Sequence, residues 1–568
     1  MVTVQKKNLF LLTLLYLVES TLAINDNKKP NILLILADDV GTGDIPSYWN
    51  SSIVEMPNLV RLAHMGVTFR DAHSTPLCAS SRYMLLSGNY AHRGENPNGS
   101  WSIQEGRSQF LEYQKSIAEV LRDEAGYNTM MVGKYHLGGK VPPDGIQERD
   151  RLLSHPGHDW TLPLIKGAQD IGFDTSYITS AGIQSPPFSF FRDGYLTTNS
   201  SDIFYWETGN YNMPHGTSKI GKNEGEGSVH WDSTAYNMIL VNETTRFIDD
   251  HLQNQPNDPF FSYVSLGSVH SPHSPPNQYL DGSPVNNVYD TRHLDMLLEM
   301  DKVVGSLISA IEERNLAQDT IIIFTSDNGG LGISKRFSHQ TSGPLKGVKG
   351  SIYEGGHRVP LIMRYDGIFP PKEERDKLVG LNDIYATICE LVGIANIPKG
   401  SGPQDSVSFA KYAASKSSDG GLRRYLGTWA IKNGIIRDQA IRFDNFKFVH
   451  RVFPEKRVEL YDLTNDLSET VDLSKDGNYT DLMSEMNKKL TELGPCPNDD
   501  DGNDYKGRFL LAKPLSKGIK KKVSCNWFKA KNTEKRCNRH EDGTTYCRSV
   551  CSVRYKERTR ELCRALLA

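Results

Sequence analysis

The run Asn31-Ile32-Leu33-Leu34-Ile35-Leu36-Ala37 has no polar residue after its first and stops against Asp38-Asp39. A strand with one wet face alternates apolar and polar residues. A strand without alternation must be covered on both faces. A chain carrying such a strand is restricted to folds in which helices lie on both sides of a sheet. The pattern recurs. Residues 116–122 have helical spacing at Ile117, Val120 and Leu121, and lead through Gly126 into the apolar run Thr129-Met130-Met131-Val132. An amphipathic helix predicted over 294–313 precedes another apolar run, 320–325. Alternation of this kind predicts an α/β fold with a large, mainly parallel sheet sandwiched by helices.

The texture changes near residue 415. Residues 439–443 alternate, Asp444-Asn445 offers a turn and 446–449 returns, which predicts a hairpin. Apolar positions 482, 486, 490 and 493 share one helical face. A smaller C-terminal α+β subdomain is therefore expected over 416–494, after a main domain over 24–415. The stretch 182–227, rich in Gly, Ser, Asn and aromatics, reads as a long insertion loop. Cys389 falls in a helical-looking run, where a buried structural thiol is expected.

Both ends of the chain point to the secretory pathway. Lys6 and Lys7 precede the apolar run 9–18, and Thr21-Leu22-Ala23 resembles a cleavage site, so residues 1–23 read as a signal peptide. No other stretch approaches the roughly 20 apolar residues of a membrane span. Glycosylation sequons begin at Asn50, Asn98, Asn199, Asn242 and Asn478. Six of the eight cysteines lie between Cys496 and Cys563, which suggests a disulfide-stapled appendage over 495–568 of undetermined connectivity. From residue 506 onward, 18 Lys and Arg face 5 Asp and Glu, a local +13 in a chain whose net charge is −3. An acidic body with a basic tail implies an anionic partner for the tail. No feature points to nucleic acid.

In open α/β sheets ligands bind beyond the carboxyl ends of the strands. Asp38 and Asp39 follow the first apolar run, Lys134 and His136 the second, Asp327 and Asn328 the third. Three carboxylates and an amide oxygen are hard ligands, suited to calcium or magnesium rather than zinc. A nearby lysine and histidine suit an anionic substrate whose leaving oxygen needs stabilising.

The segment Leu77-Cys78-Ala79-Ser80-Ser81-Arg82-Tyr83-Met84-Leu85-Leu86-Ser87-Gly88 resembles the sulfatase signature C-x-P-S-R-x-x-x-L-[ST]-G. Other segments resemble further motifs of that family, in order: Ala37-Asp38-Asp39, Gly133-Lys134-Tyr135-His136-Leu137-Gly138, Val269-His270-Ser271-Pro272, Ser326-Asp327-Asn328-Gly329 and Lys349-Gly350-Ser351-Ile352-Tyr353-Glu354-Gly355-Gly356. The resemblance as a whole covers roughly residues 30–470. The resemblance implies an alkaline-phosphatase-like fold and hydrolysis of sulfate esters. In the family the motif cysteine is oxidised by a formylglycine-generating enzyme, and the hydrated aldehyde attacks sulfur. By this resemblance Cys78 is the nucleophile precursor and a ligand of one calcium ion, with Asp38, Asp39, Asp327 and Asn328. Arg82 and Lys134 support the hydrate, His136 holds it and removes its proton, and His270 and Lys349 bind sulfate and assist the leaving oxygen. His273 competes for the place of His270, and Asp44 and His339 receive no role. Ser80 stands where the family has proline, within the pattern the modifying enzyme reads. Two other readings remain open: a phosphatase or phosphodiesterase of the same superfamily, with two metals and histidine ligands, and a non-catalytic binder of sulfated ligands if Cys78 stays unconverted. A sulfatase acting on sulfated polysaccharide, secreted or in a lysosome-like lumen, would also give the basic tail a use.

Overall fold

The computed structural model describes residues 28–49, 52–95, 108–142, 159–332, 339–395, 401–418, 420–432, 435–452, 456–494, 533–539, 545–554 and 560–563. The unalternating strand lies inside a ten-stranded sheet. Its members are β1 (Asn31–Ala37), β2 (Val67–Phe69), β3 (Asn128–Lys134), β4 (Thr175–Thr179), β5 (Phe191–Arg192), β6 (Tyr195–Leu196), β7 (Phe260–Ser265), β8 (Thr320–Ser326), β9 (Leu361–Arg364) and β10 (Glu373–Arg375). They run in the order β10-β2-β9-β8-β1-β7-β3-β4-β5-β6. The central five, β8 to β4, are parallel. β9 closes against β8 in the opposite sense.

Residue by residue, β1 feeds two cores. Ile32, Leu34 and Leu36 enter one face of the sheet, and Leu33, Ile35 and Ala37 enter the other. Each buried large side chain contributes about 1.5–3 kcal/mol, so no position before Asp38 can be surrendered to water. Six helices supply the covers: α1 (Pro57–Met65), α2 (Cys78–Ser87), α3 (Ile117–Ala125), α4 (Tyr236–Asn254), α5 (Arg292–Glu312) and α6 (Asp383–Leu391). α2, α3 and α6 pack on one face through Tyr83, Leu121 and Ile388. α1, α4 and α5 pack on the other through Leu62, Leu240 and Leu297. The helix ends follow local chemistry. Ser116 Oγ accepts from Glu119 N at 3.1 Å to start α3, and Gly126 stops it in the left-handed region at φ 73°. Thr291 Oγ1 accepts from Leu294 N at 3.2 Å to start α5.

One expectation needs correction. The segment 182–227 is not a loop but a set of short antiparallel pairs. β5 and β6 extend the main sheet. Ile203–Trp206 pairs with Gly225–Ser228, and Gly209–Met213 with Gly216–Ile220. The aromatics that made the composition look irregular form a satellite core. Phe188, Phe190 and Trp206 are buried, and Phe204 and Tyr211 meet Trp206 edge-on. Strands of two to five residues are too short for a period to be read.

The C-terminal subdomain is a sequential antiparallel sheet of β11 (Tyr425–Lys432), β12 (Ile435–Phe443), β13 (Phe446–Arg451) and β14 (Arg457–Asp462). The helix α7 (Thr480–Leu493) covers it. Met486 and Leu490 join Leu426, Ile441, Phe448 and Leu460 in a core that also takes in Met84, Tyr90 and Leu378 of the main domain. Below it lies a buried ionic seam. Arg442 contacts Asp71 and Glu354, and Lys447 contacts Glu354 and Glu469. His73 and His357 meet inside the seam, Nδ1 to Nδ1, at 3.0 Å. Burial drives both imidazoles toward the neutral form. Three cations, Arg358 included, thus face three carboxylates.

The expected signal peptide, the sequons at Asn50 and Asn98, and most of the basic tail lie outside the described residues. Within the tail, Thr533–Arg539, Thr545–Arg554 and Arg560–Cys563 form three antiparallel strands. Their register sets Cys537 across from Cys547 and Cys551 across from Cys563. Cys78 and Cys389 are both buried and unpaired. Among the described residues no helix is long and apolar enough to cross a membrane.

Candidate active site

The carboxyl ends of β8 and β1 are adjacent and that of β3 lies one strand further, beyond β7, so the polar residues following them converge. Asp38 and Asp39 leave β1, Asp327 and Asn328 leave β8, and all four are buried. Lys134 is the last residue of β3, fully buried, and His136 follows it. Cys78 is the first residue of α2, so it sits at the positive end of the helix, and Arg82 stands one turn further on. Asp39 and His136 both adopt left-handed backbone, at φ 67° and 51°. Asp and His tolerate that region better than most residues, and such conformations cluster at functional sites.

The geometry is a ring of paired charges. Lys134 Nζ donates to Asp38 Oδ2 at 2.7 Å. Arg82 gives Nε and Nη2 to Asp327 Oδ2 at 3.1 and 2.6 Å, and lies 3.6 Å from Asp38. Lys349 donates to Asp39 Oδ1, which also accepts from Asn328 Nδ2 at 2.8 Å. His270 Nε2 lies 3.7 Å from Asp39 Oδ2. Cys78 Sγ lies 3.4 Å from His136 Nδ1. All the sequence-predicted site residues therefore meet in one place. His273 lies one step away, its ring centroid 5.2 Å from that of His293. His339 Nε2 and Asp44 Oδ1 are 2.6 Å apart, and Asp44 accepts from Gly41 N at 2.8 Å, which pins the turn after Asp39. A Cβ on Gly41 would lie 2.1 Å from Thr341 O, so that turn admits only glycine.

The electrostatics separate the acids. Burial raises Asp38, but Lys134, His270 and Arg82 outweigh it and hold the carboxyl below its ordinary range. Asp39 is lowered against burial by Lys349 and His270. Asp327 goes the other way, pushed up to about 7 by burial and by the charge of Asp38. Burial raises the Cys78 thiol, so it is not a spontaneous thiolate. His136 is held neutral by burial and by Lys134, and burial pushes His270 down to about 4.

Three carboxylates against Arg82, Lys134 and Lys349 leave the ring neutral before anything binds. Two buried oxygens nonetheless have no partner among the described residues, Asp38 Oδ1 and Asn328 Oδ1. An oxygen without a donor is costly in an interior. Both are hard ligands, and Asp38, Asp39 and His270 have atoms close enough together to share an ion. The residues fit a hard divalent cation, whose charge would keep Asp327 ionised. A second cluster of that spacing, His73, Glu354 and His357, holds the Lys447 ammonium at 3.1 Å from both Glu354 and His357, so its charge is already balanced.

Sequence reasoning missed two residues beside this ring. Gln184 Oε1 accepts from Lys134 Nζ at 3.1 Å. Glu299 on α5 accepts from Ser268 Oγ at 3.0 Å, and the Ser268 carbonyl accepts from Asp38 N. Strand-end reasoning extended to β7 would have reached Ser268, the partner of Glu299, within three residues; nothing in the sequence marks Gln184 or Glu299 itself.

A fold with a cation-ready oxygen cluster at the strand ends, facing a helix-initial cysteine, defines a sulfuric ester hydrolase: the chain belongs to the sulfatase family, whose profile, Sulfatase, matches residues 30–394. A second profile, N-sulphoglucosamine sulphohydrolase, C-terminal, matches 348–495. Among its relatives is an N-acetylgalactosamine-6-O-sulfatase of Bacteroides thetaiotaomicron, 28% identical over 517 residues, covering 82% of this chain and 94% of that one. Human arylsulfatase D is 29% identical over 409 residues, covering 67% of each chain. A solved structure from a study of glycosaminoglycan metabolism by Bacteroides thetaiotaomicron aligns with a TM-score of 0.68 at 26% identity, over 82% of this chain and 99% of that one.

Proposed function

We propose that this sulfatase removes sulfate from a sugar, of the 6-sulfated N-acetylgalactosamine kind for which relatives are named, using a formylglycine made from Cys78 and one calcium ion. Asp38, Asp39, Asp327, Asn328 and the converted Cys78 would hold the ion. Bound there, calcium would supply the positive charge that lowers the cost of an anionic oxygen on residue 78 and on the ester. The remaining work falls to this chain's own side chains. His136, neutral and 3.4 Å from Cys78 Sγ, is placed to hold residue 78 and take a proton from it. Arg82 keeps Asp327 and Asp38 compensated behind the reacting atom. Lys134, held by Asp38, sets a fixed cation beside residue 78 that supports its hydrate. His270 and Lys349 stand on the open side of Asp39, with side chains 15 and 18% exposed, where a leaving oxygen would pass. The apolar leader with its cleavage site, together with the sequons, supports maturation in the secretory pathway, and the +13 tail supports retention on a sulfated polysaccharide.

The observation that carries the reading is the pair of unpartnered oxygens, Asp38 Oδ1 and Asn328 Oδ1, in a ring that also contains Cys78. The test uses protein from a secretory host containing the modifying enzyme. A peptide mass over Cys78 should reveal the aldehyde, metal analysis should return one calcium per chain, and Cys78→Ala should abolish release of sulfate from N-acetylgalactosamine 6-sulfate. Activity surviving that substitution sinks the mechanism.

A further inference from the structure

We infer that Gln184 is a specificity-determining residue of this sulfatase, donating a hydrogen bond from Nε2 to an oxygen on the sugar that carries the sulfate. The inference rests on the proposed function and names a contact for the alcohol half of the substrate. An ammonium has only donors, so the Lys134 contact at 3.1 Å fixes which end of the Gln184 amide faces it: the carbonyl oxygen. The NH2 end is thereby turned away from Lys134. Among the described residues Nε2 has no acceptor, and Gln184 is only half-buried, on the rim of the ring beside the fully buried Lys134. A donor of fixed direction, beside the lysine that supports residue 78, is placed for an oxygen next to the ester.

The surrounding chain fixes the backbone from which that side chain projects. Gly182 packs directly on the Lys134 side chain, in left-handed backbone at φ 74°. Asn223 Nδ2 donates to the main-chain carbonyl of Gln184 at 3.0 Å and to Ser185 Oγ at 2.8 Å. Asn223 lies between the strands Gly216–Ile220 and Gly225–Ser228, so the insertion reaches back to brace the residue. Asn223 is a positioning residue, because it acts only through Gln184. Two acceptors on a sugar have the required chemistry, a ring hydroxyl and an acetamide carbonyl.

The test measures binding by titration calorimetry in the calcium-loaded, full-length Cys78→Ala protein, so that no ligand is consumed and conversion of residue 78 is immaterial. The ligands are inorganic sulfate, galactose 6-sulfate and N-acetylgalactosamine 6-sulfate. Adding Gln184→Ala should weaken the sulfated sugar by about 3- to 10-fold more than it weakens inorganic sulfate, the loss of one hydrogen bond. Loss with both sugars assigns a hydroxyl, and loss with the acetamido sugar alone assigns the carbonyl. Gln184→Glu keeps the Lys134 contact but removes the donor, and should lose the sugar at least as much. Asn223→Ala should shift affinities the same way by less. Equal loss for sulfate and sugar in both Gln184 variants would make the residue a support for Lys134 and overturn the inference, as would unchanged sugar binding. A parent protein that binds inorganic sulfate but neither sugar overturns the substrate reading first, and the inference with it.

Discussion

Glu299 is 2% exposed on α5, and among the described residues no cation faces it. Its contacts are neutral, the Ser268 hydroxyl at 3.0 Å and the Asn237 amide, and the Tyr279 phenol lies nearby. Burial pushes its carboxyl from an ordinary 4.5 up to about 7. At 1.36 kcal/mol per unit this is a cost on the order of 3 kcal/mol. The sign follows from proton counting. Below about 4.5 both folded and unfolded chains hold the proton, and nothing is lost. Between 4.5 and 7 the unfolded chain releases it while the folded one retains it, so stability falls as pH rises. Above 7 both are ionised and the whole cost persists. Glu299→Gln carries the same shape without the charge. Relative to the parent, the variant should therefore gain stability on the order of 3 kcal/mol between pH 4.5 and 8, and nothing further beyond. Urea midpoints of both proteins, taken across that range, measure the difference directly and cancel the titration of every other group. Parallel curves for the two proteins would refute the reasoning, because an uncompensated buried carboxylate cannot be indifferent to pH.

Other outcomes follow from the same geometry. Chelation should lower the melting temperature reversibly, with calcium restoring it, since an ion held at about 1,000 times its dissociation constant stabilises by about 4 kcal/mol; Asp327→Ala should abolish both the calcium response in calorimetry and the activity. Ser80→Pro should fold normally by circular dichroism, because the first amide of α2 with an intrahelical partner is Ser81 N, bonded to Leu77 O, and should raise the formylglycine fraction read by peptide mass. Lys447→Met should destabilise by about 3–5 kcal/mol in urea titration, since it leaves buried Glu469 without its ammonium while Glu354 keeps only its arginines.

The main sheet was legible because β1 leaves no room for interpretation: seven positions with no concession to water admit few folds. The site was legible because the polar residues at the ends of β1, β3 and β8 carry charge of a consistent chemistry, and because the sequence around Cys78 matches a family signature. What escaped was whatever depended on distance along the chain. Arg442 is an ordinary strand arginine until Asp71 is brought beside it from 371 residues away. Gln184 lies among Gly, Ser and Pro, where a glutamine reads as a wet side chain, and only the fold sets it against Lys134. The insertion was misread for a different reason: its strands bury aromatics against one another at no fixed interval, so their composition resembled a long loop.

The ionic seam bears on how such a protein can be recombined. The C-terminal sheet looks like a unit that could be exchanged between relatives, yet its partners are scattered: Asp71 and His73 stand just before α2, Glu354 and His357 just after Lys349. A graft cut at residue 416 would import a new set of basic residues and leave the old acids waiting for them. Each mismatch would bury a charge without its counterion. Lineages that shuffle this region successfully must therefore carry both short upstream segments along with it, or replace the whole seam with apolar residues in a single step. The C-terminal profile, which begins at residue 348, already takes in Lys349 and Glu354 with the sheet they serve.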